Sequence, residues 1–124
     1  MYEVEIIDAF SAAHRLRDYN GKCEHLHGHN YRVHLVARSQ TLGNGGMVVD
    51  FAHLKTVLGQ VLAKLDHTYL NDIPPFDERE PSAENIAAFI FAELEEKLGA
   101  MGQLLYSVSV WESDKSRAAF LRDG

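Results

Sequence analysis

Apolar and polar positions alternate from Tyr2 to His14, with Tyr2, Val4, Ile6, Phe10, Ala12 and His14 on one face and Glu3 and Glu5 on the other. That period of two predicts a half-buried strand. A second alternation runs from about His27 to Arg38: Tyr31, Val33, Leu35 and Ala37 share a face with His27 and His29, while Asn30, Arg32, His34 and Arg38 point away. Between the two, Asp18, Asn20 and Gly21 mark a loop, and Leu42 to Gly46 then breaks regular structure. The period changes after Asp50. Phe51, Leu54, Val57, Leu58, Val61, Leu62 and Leu65 form one apolar stripe at helical spacing, with Asp50 as its cap and an end near Asp66 and His67. Turn formers and prolines from Asn71 to Pro81 predict a long loop. Ser82 caps a second helix with Glu84 in its first turn, an apolar stripe of Ile86, Phe89, Ile90, Leu94 and Leu98, and Gly99 as its close. A strand from near Leu104 places Tyr106, Val108, Val110 and Glu112 on one face, and Ser113 to Ser116 turns into a short last strand around Ala118 to Leu121.

The predicted order is strand, strand, helix, helix, strand, strand: an α+β fold, an antiparallel sheet with both helices on one face. At 124 residues and 46% apolar content the chain supports one core, so residues 1–124 are expected to form one domain. The face opposite the core carries Glu3, Glu5, Arg32, His34, Arg38, Ser107 and Ser109. A four-stranded sheet has two open edges, and closing several such sheets into a barrel across subunits would cover them with this polar face lining the lumen. A homo-oligomer is therefore expected.

Charge and composition remove several classes of function. A net charge of −6 without a basic stripe gives no footprint for duplex nucleic acid. The sequence has neither a signal-peptide layout nor an apolar run of the ~20 residues that span a bilayer, which points to the cytoplasm. The single cysteine, Cys23, has no intrachain disulfide partner.

The chemistry concentrates in Cys23-Glu24-His25-Leu26-His27-Gly28-His29-Asn30-Tyr31. His27 and His29, two apart on a strand, project from one face, as a metal requires. His14 closes an apolar face where an aliphatic residue would cost less to bury, so it is either a hydrogen-bonded core histidine or a third nitrogen ligand. Three such ligands leave a fourth position for water or substrate, as in catalytic zinc sites. Cys23 is then a fourth ligand of a closed site or a base beside an open one. Asp66 beside His67 is a polarised acid–base pair or a histidine set against a helix C-terminus. Glu112 ends an apolar face as an edge carboxylate in solvent or as an acceptor of two parallel hydrogen bonds from an aminopyrimidinone edge. His25 has no assigned role, and His34 and His53 are expected to be solvated.

Phe10-Ser11-Ala12-Ala13-His14, Cys23-x3-His27-Gly28-His29-Asn30-Tyr31, Val49-Asp50-Phe51, Leu65-Asp66-His67, Pro81-Ser82-Ala83-Glu84-Asn85 and Val110-Trp111-Glu112-Ser113 together resemble the 6-pyruvoyl-tetrahydropterin synthase superfamily. The resemblance implies the tunnelling fold, with ββααββ units joined into barrels, usually trimers stacked as hexamers. It implies zinc on His14, His27 and His29, a catalytic proton-transfer set of Cys23, Asp66 and His67, and Glu112 as substrate-binding pterin anchor. Three residues between the cysteine and His27 resemble the bacterial 6-carboxytetrahydropterin branch of the queuosine pathway, a lyase acting on 7,8-dihydroneopterin triphosphate. Cys23 sets the chain apart from a folate-pathway variant with Glu at that place. Ser82 stands where Thr is frequent and retains the cap hydroxyl. Pro81 to Asn85 is the stretch expected to reach a neighbouring subunit's pocket.

Overall fold

The computed structural model describes residues 1–21 and 24–123. Cys23 and Lys22 lie outside the described residues. The elements are β1 (Tyr2–His14), β2 (His27–Ser39), α1 (Phe51–Leu62), β3 (Thr68–Tyr69), α2 (Ala83–Leu98), β4 (Leu105–Ser113) and β5 (Ser116–Leu121). Their order in the sheet is β3-β1-β2-β4-β5. Every neighbouring pair is antiparallel except β3, which runs parallel to β1 through Ala12–Thr68 and Ala13–Tyr69. A two-residue strand carries no period, so sequence pattern leaves β3 inside the loop.

Both helices lie on one face of the sheet, α1 over β1 and α2 over β4 and β5. Tyr31, Val33, Leu35, Val108 and Val110 from the sheet meet Leu54, Leu58, Val61, Ile86, Ile90 and Leu94 from the helices, all excluded from solvent. Each such side chain contributes about 1.5–3 kcal/mol of burial free energy. The helix starts follow their caps: Asp50 accepts the Ala52 N–H at 2.9 Å and Ser82 accepts that of Asn85 at 3.2 Å. Gly99 closes α2 at φ 58°, a backbone conformation that disfavours side chains.

Three positions depart from the sequence pattern. A register shift between Val36 and Ala37 puts Leu105 opposite Ala37 in the core, so Tyr106 turns outward beneath the Arg38 guanidinium, 3.6 Å from its ring centre. The bulge breaks the alternation that otherwise joins Tyr106 to Val108. Phe51, the first residue of α1, is half exposed and lines a surface depression with Tyr2, Leu42 and Met47 instead of the core. His34 faces outward as expected but is not solvated: its side chain is only 16% exposed and its Nδ1 lies 3.3 Å from Glu5.

Candidate metal centre

The β1–β2 register decides which histidines meet. His14 stands opposite His27 and Ala12 opposite His29, so the pair two apart on β2 and the last residue of β1 occupy one patch of the helix-covered face. Ring centres lie 4.7 Å apart for His14 and His27, 5.1 Å for His14 and His29, and 4.8 Å for His27 and His29. One ligand nitrogen from each falls within 4.8 Å of the others.

Hydrogen bonds at the far side of two rings set which nitrogen faces inward. His14 Nδ1 lies 2.7 Å from the Pro81 carbonyl and His27 Nδ1 lies 2.8 Å from the His25 carbonyl. A carbonyl only accepts, so each Nδ1 carries the hydrogen and each Nε2 keeps its lone pair, the arrangement found behind metal-bound histidines. His29 Nε2 is buried with no hydrogen-bond partner, an orphaned nitrogen that suits a metal ligand. Burial holds His29 below its ordinary pKa despite the opposing charge of Glu112, which keeps the ring in its neutral, ligating form. The donor set fits a divalent metal that accepts nitrogen.

Tyr31 continues the same face. Its ring stacks on Phe10 at 4.7 Å and sits 5.3 Å from His29, and its hydroxyl is buried without a partner. Burial, with the nearby carboxylates of Glu112 and Glu24, raises the phenol pKa and keeps it protonated. Tyr31 lies in the core, as the alternation predicts, and shares its face with His27 and His29.

Glu112 acts electrostatically on both His29 and Tyr31. It lines a cavity of about 270 Å³ with Leu16, Ser82, Ala83 and Glu84, between the start of α2 and the β4–β5 hairpin. Within the chain, Pro81 meets His14 through its carbonyl and Ser82 lines the same cavity as Glu112. His25 also acquires a role, through its main-chain carbonyl on His27.

Asp66 and His67 form a separate pair. Asp66 Oδ1 accepts the Ser11 N–H at 2.9 Å, its Oδ2 lies 3.0 Å from His67 Nδ1, and the His67 N–H bonds the Ser11 carbonyl at 2.6 Å. These contacts hold His67 at φ 57° with its side chain 82% exposed. The Ser11 N–H, followed by His67, lowers the Asp66 pKa. A carboxyl whose pKa falls on folding adds stability above its unfolded value, about 4, and loses it as the pH drops through the folded value. His67 lines a shallow depression with Ser11, Ala12, Ala13, Gly28, His29 and Asn30. Among the described residues no hydrogen bond or ring contact joins His67 to the three imidazoles. Cys23, the other member of the expected proton-transfer set, lies outside the described residues.

Comparison with known proteins gives a consistent set of matches. The family model described as 6-pyruvoyl tetrahydropterin synthase matches residues 3–123. A 6-carboxy-5,6,7,8-tetrahydropterin synthase of Synechocystis is 43% identical over 117 residues, covering 90% of this chain and 87% of that protein. A putative enzyme of the same name from Archaeoglobus fulgidus is 42% identical, covering 76% of each. The solved 6-pyruvoyl tetrahydropterin synthase of Caenorhabditis elegans superposes with a TM-score of 0.85 at 28% identity, covering 98% of this chain and 96% of that one.

Proposed function

The chain belongs to the 6-pyruvoyl tetrahydropterin synthase family, and from that premise we propose that it is a zinc-dependent 6-carboxy-5,6,7,8-tetrahydropterin synthase. The reaction converts 7,8-dihydroneopterin triphosphate to 6-carboxytetrahydropterin with loss of acetaldehyde and triphosphate, on a route to 7-deazapurines such as queuosine. The observation that carries this reading is the 43% identity to the Synechocystis enzyme over nine-tenths of the chain. The inward-facing nitrogens of His14, His27 and His29 support its metal dependence.

His14, His27 and His29 would hold the zinc, which would supply Lewis acidity to the bound substrate. Glu112 accepts two N–H groups from the aminopyrimidinone edge of the pterin, as a carboxylate binds any paired donor edge. Cys23 moves a proton to or from the substrate side chain as a thiolate, and His67, oriented by Asp66, exchanges it. Closed assembly of the sheets would cover the outer edge of β1, paired only at Ala12 and Ala13, and the open edge of β5. The proposed enzyme is thus a cytoplasmic homo-oligomer.

Two measurements test the assignment. Purified protein incubated with dihydroneopterin triphosphate should yield 6-carboxytetrahydropterin and acetaldehyde by mass spectrometry. The C. elegans structure, a 6-pyruvoyl synthase by name, shares this fold, so a 6-pyruvoyl product without acetaldehyde would move the chain to that activity. Glu112→Ala should raise the pterin Kd by at least about tenfold, since a charge-assisted hydrogen bond contributes roughly 1.5–3 kcal/mol, with the circular dichroism spectrum unchanged. Wild-type affinity in that variant would remove Glu112 from the pterin site.

A further inference from the structure

The loop that follows His14 and the loop that ends at Pro81 are stapled together by side chains from both. Arg15 gives its N–H to the Asn71 side-chain carbonyl at 3.0 Å and its own carbonyl accepts from Asn71 Nδ2 at 2.9 Å. The Glu80 carboxylate takes the Arg17 N–H on one oxygen at 3.0 Å and the Asp18 N–H on the other at 3.1 Å. The Arg17 guanidinium crosses the gap to the carbonyls of Asn71, Phe76 and Arg79 and to Glu80 itself. From the other side, Asn85 Nδ2 holds the Glu80 carbonyl at 2.9 Å. Burial alone would raise the Glu80 pKa, but the Asp18 and Arg17 N–H groups and the Arg17 charge outweigh it and keep the carboxylate ionised.

The next carbonyl in the chain after this fixed residue is that of Pro81, on His14 Nδ1. We propose that Glu80, clasped by Arg17, is a positioning residue that sets the tautomer and direction of His14 and so tunes metal affinity at the triad. Neither residue touches the imidazole. Both act through the Pro81 carbonyl, which has to stay at hydrogen-bond distance and in the ring plane. The inference rests on the metal reading above for its consequence, though not for its geometry.

The decisive variants are Glu80→Ala, which removes both acceptors, and Arg17→Lys, which keeps the charge and loses the forked donor set. Zinc competition against a chromophoric chelator should give an affinity lower by up to about 10-fold in Glu80→Ala, the low end of the range for a partner lost outright behind a metal-bound histidine, because the Pro81 carbonyl is displaced and not removed. In the metal-free protein, long-range ¹⁵N–¹H spectra should show His14 losing its Nδ1–H tautomer while His27, held by its own carbonyl, keeps it. Arg17→Lys should move both readouts the same way by less. A lowered thermal midpoint with unchanged zinc affinity and unchanged His14 tautomer would reduce the clasp to a structural staple and overturn the proposal. Should His14→Ala bind zinc as tightly as wild type, the metal reading itself falls, and the metal-free tautomer alone then decides whether Glu80 positions His14.

Discussion

His29→Ala should fold and lose its metal. Zinc held by a full set of four protein ligands is worth an apparent 10–16 kcal/mol, so one nitrogen donor carries on the order of 3 kcal/mol, roughly a hundredfold in affinity. His29 is the most diagnostic of the three because its Nε2 is buried without a partner and no main-chain carbonyl explains it. Alanine removes that orphan, so the substitution relieves an unsatisfied group while it removes a ligand. Metal content after dialysis against a weak chelator, with circular dichroism for the fold, reads the two effects separately. Turnover should fall with the metal. Retention of a stoichiometric metal by folded His29→Ala would place the centre elsewhere.

Cys23→Ala and His67→Ala should each lower turnover by about 10²- to 10⁴-fold, the range for a lost acid–base group, while the metal stays bound. Their combination separates two arrangements. Among the described residues no hydrogen bond or ring contact joins His67 to the imidazole patch, so the two groups act in one site either within a chain or across two. If each site takes Cys23 from one chain and His67 from another, co-assembled single variants regain on the order of a quarter of wild-type activity, because that fraction of interfaces carries both native residues in a closed oligomer. Activity of the mixture no greater than that of the separate variants would place both groups in one chain or remove His67 from the chemistry. Loss of zinc from Cys23→Ala would instead make the thiol a fourth ligand of a closed site.

Most of the scaffold is legible without coordinates because its signals are local. Alternation locates β1 and β2, a 3.6-residue stripe after Asp50 locates α1, which ends at Leu62 rather than near Asp66 and His67, and Ser82 with Gly99 brackets α2. The local signal fails where a neighbour intervenes. The bulge opposite Val36 and Ala37 turns Tyr106 outward, β3 exists only because β1 offers an edge at Ala12 and Ala13, and Glu5 gives outward-facing His34 a partner. Proline followed by a cap residue specifies a helix start and nothing about what the Pro81 carbonyl meets, which is His14.

The sequence by itself determined the candidate ligands. Side-chain period on a strand is a property of the backbone alone, so His27 and His29 had to share a face, and His14 had to end one. Tertiary structure decided the rest. Register set His14 against His27, chain reversal brought the Pro81 carbonyl to His14 across 67 residues, and the Ser11 backbone fixed Asp66 and His67 at the edge of β1. Each of these depends on contacts between segments distant in sequence, where no local preference of the chain fixes the partner.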